Sequence, residues 1–99
     1  MDLCVILSNA IENAVNACKR IPIANDRIIR IICKTKNDKL FIQIANSYEG
    51  TIIFVDDMPI SIEENHGLGT KSIAAVAQKY GGVYSFTTED EVFKTSIIL

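Results

Sequence analysis

Much is scarce in this 99-residue chain: it has one histidine, two prolines, three cysteines and no tryptophan. Three cysteines and one histidine at these spacings do not make a zinc site. No two cysteines form a C-x-x-C pair, and Cys4 and Cys18 fall fourteen residues apart on one helical stretch. At ~1.5 Å rise per residue they stand about 21 Å apart, beyond disulfide reach. They read as free thiols of a reducing cytosol, packed as small core residues. There is no basic excess either: ten Lys plus Arg face twelve Asp plus Glu, for a net charge of −2. That sum argues against a nucleic-acid partner and against direct contact with a membrane surface. No apolar run reaches the ~18 residues of a membrane span, and no signal peptide is visible. Repeats and low-complexity tracts are absent.

What is present is a chain of 48% hydrophobic and 22% charged residues. Such a chain forms one globular domain and buries roughly 65% of its unfolded surface. Residues 2–21 have helical periodicity. Leu3, Ile6, Leu7, Ala10, Ala14, Ala17, Cys18 and Ile21 share one apolar sector, with Asp2 as N-cap and Pro22 as the stop. Two strands follow, Ile28 to Thr35 and Leu40 to Asn46, joined by a turn at Asn37-Asp38. The second is apolar on both faces, as a central strand would be. Residues 47–66 contain Gly50, Pro59 and several acids but no Lys or Arg. They read as a lid with a short strand at Thr51 to Val55. A second helix runs to about Tyr80, with Ile73, Val76, Ala77 and Tyr80 facing the core and Gly81-Gly82 ending it. Val83 to Thr87 and Val92 to Ile98 close the chain as a hairpin around Thr88-Glu89-Asp90. The expected fold is α+β, a two-layer sandwich in the order α-β-β-lid-α-β-β. Its helices lie on one face of a mostly antiparallel sheet.

Two features carry chemistry. Asn9, Asn13, Asn16 and Arg20 share a stripe about 60° wide along the border of the first helix's apolar face. Each asparagine costs roughly 0.5–0.7 kcal/mol against alanine in a helix. Glu12 falls on the outer, solvated side. An amide oxygen suits Mg²⁺, which takes few protein ligands and keeps phosphates and waters. The residues alone leave a second reading open, a polar shoulder bonded to solvent or a loop. The other feature is Gly67-Leu68-Gly69-Thr70-Lys71-Ser72 opening the second helix. Glycines admit close approach of a ligand to the backbone, and free N–H groups at a helix start face an anion. An ordinary loop-to-helix junction would look similar. Neither the P-loop spacing nor the Rossmann fingerprint is present.

Together these features resemble the GHKL ATPases, the Bergerat-fold superfamily of gyrase, heat-shock chaperone, histidine kinase and mismatch-repair protein. Asn9-x-x-x-Asn13-Ala14 is similar to their N box. His66-Gly67-Leu68-Gly69-Thr70-Lys71-Ser72-Ile73 is similar to their second glycine box. Lys79-Tyr80-Gly81-Gly82 resembles the helix-to-strand junction that follows it in histidine kinases. Ile44-Ala45-Asn46-Ser47-Tyr48-Glu49-Gly50 resembles the first box of peptide-pheromone, quorum-sensing sensor kinases. The likeness runs from Leu3 to Leu99. Three departures stand out: a D-x-G-x-G first box is missing, Asn16 stands where relatives often have an acid, and the lid has no cation.

The resemblance implies a cytoplasmic ATP-binding domain of a sensor histidine kinase, excised from a longer chain, with ATP and Mg²⁺ as cofactors. It implies that Asn13 ligates Mg²⁺ and that Asn9 holds a water or phosphate. His66, Gly67, Leu68, Gly69, Thr70 and Lys71 would then surround the phosphates, Asn46 would accept from the adenine amino group, and Arg20 and Asn16 would lie within reach of phosphate. His66 orders the loop or contacts phosphate in this reading and is not the phospho-acceptor. The implied partners are a dimerisation domain bearing the acceptor histidine and a response regulator. Two other functions compete: an anti-sigma-factor type serine kinase, and a nonenzymatic partner-binding module with a degenerate site.

Overall fold

A helix with one apolar sector must bury it against something flat, and here that is a four-stranded sheet. The computed structural model describes the backbone of residues 2–60 and 66–99, and the side chains of 3–60 and 70–99. Helix α1 spans Asp2–Lys19, and a 3-10 turn follows at Ala24–Asp26. The strands are β1 (Ile29–Lys36), β2 (Lys39–Ser47), β3 (Ile53–Val55) and β4 (Met58–Ile60), then β5 (Val83–Glu89) and β6 (Val92–Ile98) after helix α2 (His66–Lys79). The main sheet has the order β1-β2-β6-β5 with every pairing antiparallel, so β2 is central as its two apolar faces imply. The α+β sandwich and the α-β-β-lid-α-β-β order hold, with one addition. The segment expected as a lid carries its own hairpin, β3 paired with β4.

The core lies between the helices and one sheet face. Ile6, Ala10 and Ala14 of α1 and Ile73 and Ala77 of α2 meet Ile42, Ile44, Phe86, Phe93 and Ile97 of the sheet. Burying each isoleucine contributes about 1.5–3 kcal/mol. Ala10, Ala14 and Ala77 belong to this core, and α1 and α2 pack against each other above the sheet. Past Lys19 the chain tightens. Arg20 and Ile21 donate backbone bonds to Ala17 and Cys18, three residues back, at 3.3 and 3.0 Å, which ends α1 before Pro22. The Arg27 side chain then pins the turn by donating Nε to the Ile21 carbonyl at 2.8 Å.

Several expectations need correction. Tyr80 is 57% exposed, because α2 ends at Lys79 and its facing rule ends there too. Leu3 and Cys4 are exposed at the start of α1, beyond the reach of the sheet, while Cys18 is buried. The closing hairpin turns at Asp90 and Glu91, both at positive φ, so β5 runs on through Glu89. β1 is exposed along its whole length, since two helices cannot cover four strands. The expected capping role of the Asp2 side chain lies outside the described side chains, as do residues 61–65 of the expected lid.

Candidate functional site

Cys18 anchors the C-terminal half of α1 at the start of β1 and the end of β2. Its Sγ lies 3.7 Å from the Ile28 carbonyl oxygen and 3.8 Å from Ser47 Oγ. Ser47 Oγ in turn accepts from the Ile28 backbone N–H at 2.8 Å. With α1 held there, Asn13 of its amide stripe shares a cavity of about 280 Å³ with Thr70 of α2. Asn13, Ala17 and Arg20 of α1 form one wall and Thr70 of α2 another. Asn46 and Phe93, directly paired across β2 and β6, lie at its sheet end.

Asn46 is 4% exposed. Its Nδ2 donates to the Ser47 carbonyl oxygen at 3.0 Å, which fixes the amide. A carbonyl can only accept, so the nitrogen must face Ser47, leaving Oδ1 as the acceptor for anything entering the cavity. Thr70 is also buried. It stands one turn into α2, whose first four N–H groups have no intrahelical acceptor. Charge at the rim is mixed, with Arg20 and Glu49 both exposed along the lining.

Not every residue singled out from sequence is part of this wall. Asn13, Arg20, Asn46 and Thr70 are brought together. Asn9 and Asn16 are half-buried on α1 outside the lining, and Lys71 is exposed outside it. The side chains of His66 and Leu68, and the surroundings of Gly67 and Gly69, lie outside the described side chains; their backbone opens α2. Sequence reasoning missed the apolar half of the cavity: Tyr48, Ile52 and Ile53 on the approach to and start of β3, Pro59 and Ile60 on β4, and Phe93. A signal for the first group exists. Asp56-Asp57 takes positive φ at both positions, as a two-residue hairpin requires, and marks β3–β4.

The donor set fits a cation that is only partly ligated by protein. Among the described residues no group of three or more His, Cys, Asp or Glu forms a metal cage. A neutral amide oxygen such as that of Asn13 is compatible with Mg²⁺ held mainly by phosphate and water.

A family model described as the GHKL domain matches residues 1–99, and the chain belongs to that family, which has ATPase- and kinase-type members that bind ATP. No curated protein matches the chain.

Proposed function

We propose that this chain is the ATP-binding catalytic domain of a bacterial sensor histidine kinase. It presents the γ-phosphoryl of MgATP to a histidine on a separate dimerisation domain of the same cytoplasmic assembly, and a response regulator takes the phosphoryl group onward. The observation that carries this reading is that Asn13, Asn46 and Thr70, from three elements distant in sequence, line one cavity. Family membership supplies the nucleotide.

In this reading Asn46 Oδ1 accepts from the adenine amino group, and Ile52, Pro59 and Phe93 exclude water from the base. The cavity they enclose, of about 280 Å³, is near the lower end of the ~300–1,000 Å³ usual for ligand sites. The phosphates then run toward the start of α2. There the N–H groups of Gly67, Leu68 and Gly69, with Thr70, donate to them, and His66, Lys71 and Arg20 border the path. Asn13 would hold Mg²⁺, with Asn9, one turn earlier, for a water or phosphate and Asn16, one turn later, within reach of phosphate. The cation, when bound, neutralises charge on the phosphate oxygens. The chain's own contribution is orientation: phosphoryl transfer needs positioning and electrostatic stabilisation more than covalent chemistry from the protein.

Titration of MgATP against thermal stability tests this. At one hundred times the dissociation constant a real site adds about 2.7 kcal/mol. For a domain of this size each kcal/mol raises Tm by about 4–8 °C. Asn13→Ala should abolish the Mg²⁺-dependent part of the rise. No shift at millimolar MgATP would favour the nonenzymatic module, which the missing D-x-G-x-G box and the lid's lack of Lys and Arg also suit.

A further inference from the structure

The net charge of −2 conceals how the charge is distributed. Strand alternation puts the buried Ile42, Ile44, Phe93 and Ile97 on the helix-covered face of the sheet. The opposite face therefore carries Arg30, Lys34 and Lys36 of β1, Lys39 of β2 and Lys94 of β6. Two contacts across this face fit the assignment: Gln43 Nε2 donates to Ser96 Oγ at 3.1 Å, and Lys34 Nζ sits 5.4 Å from the Phe41 ring centre. Half of the chain's ten basic residues thus share one open surface. Among the described residues none of these five makes an ion pair. The face itself carries one carboxylate, Glu89 at the end of β5, with Asp38 in the β1–β2 turn and Asp90 and Glu91 in the β5–β6 turn at its edges. Aliphatic side chains share the face: Ile32, between Arg30 and Lys34 on β1, is 37% exposed, and Val83, on the edge strand β5, is 62% exposed.

We infer that this face docks on an anionic phospholipid bilayer. The composition selects that occupant. Protein interfaces are depleted in lysine and enriched in arginine, tyrosine and tryptophan, whereas four of the five cations here are lysines. Binders of single-stranded nucleic acid use exposed aromatic platforms, and the Phe41 ring lies half-buried beside Lys34. Lysines beside exposed isoleucine and valine on one sheet face match lipid headgroups and the shallow apolar layer beneath them. The geometry is also compatible with nucleotide binding. The lysine-rich end, at Lys36 and Lys39, lies about 23 Å along β2 from Asn46, at ~3.3 Å per residue. Docking through this face leaves the cavity, on the other side of the sheet, open to solvent. This inference departs from the expectation of no membrane contact, which was argued from the charge sum.

The test is cosedimentation of the 99-residue chain with vesicles, in low salt. One set is equal parts phosphatidylglycerol and phosphatidylcholine, the other phosphatidylcholine alone. The chain should partition onto the anionic vesicles about tenfold more strongly, and lose that preference near ~0.5 M salt as the Debye length shrinks. Arg30→Glu with Lys36→Glu should abolish the preference, with a circular-dichroism melt to show that the variant folds. Glu89→Lys should strengthen it, and provides an independent arm if the reversal unfolds the edge strand. Equal partition onto both vesicle types, absence of binding, or indifference to Glu89→Lys would overturn the inference. So would binding to polyglutamate or to a single-stranded oligonucleotide with none to the vesicles.

Discussion

Asn46 shows how one side chain can join fold and site. Its amide nitrogen is held by the Ser47 carbonyl, and its oxygen is left for the cavity. Asn46→Asp would replace that donor by a carboxylate oxygen facing a carbonyl oxygen. The expected outcome is a loss of about 1–3 kcal/mol in urea-unfolding stability without nucleotide, the cost of a buried acceptor with no donor. An unchanged midpoint would mean that the Ser47 bond does not hold the amide. The polar half of the site was legible in the sequence at this scale, because asparagines in a helix interior and glycines at a helix start are locally anomalous. Asn13, Arg20 and Thr70 do line the cavity. Asn9 and Asn16, on the same stripe, do not, because a helical stripe fixes direction around the axis and not position along it.

Among the elements, α2 has the clearest terminus. Gly81, at φ +66°, donates to the Gln78 carbonyl at 3.0 Å, and Gly82 to the Ala77 carbonyl at 2.8 Å. These are the two bonds of a Schellman cap. Gly81→Ala keeps both bonds but places a Cβ in the left-handed region, at a cost of about 1–2 kcal/mol. Since nothing lies within 4 Å of such a Cβ, the loss should be conformational alone, and Gly81→Asn should recover part of it. A thermal melt of the two variants checks this; equal stability of Ala and Gly would refute the cap. The two helices and four main strands were readable from periodicity, whereas β4 was not. Pro59 demotes any strand that contains it, and a three-residue strand has too little alternation to register. With β4 unread, the pairing of β3 with it, and so the apolar wall that the hairpin gives the cavity, was hidden.

For the molecule as a whole, the decisive relation is between α1 and α2. Periodicity predicts that each helix buries a face, and the topology places them side by side on one sheet surface. That Asn13 of one and Thr70 of the other share a cavity follows from packing. No residue pattern states it. The resemblance to GHKL proteins supplied it as an expectation, and the shared cavity of Asn13, Asn46 and Thr70 carries it in the structure. Exposure of β1 could likewise not be read locally, because its Ile29 and Ile31 look like any core strand.

The most direct measurement of this convergence is paramagnetic broadening in the NMR spectrum when ATP is added with Mn²⁺ in place of Mg²⁺. The side-chain amide signals of Asn13 and the backbone amide of Thr70 should vanish together at substoichiometric metal, while that of Lys39, at the far end of the sheet, stays sharp. If Thr70 broadens and Asn13 does not, or if neither responds, the metal-bound triphosphate is not held between the two helices.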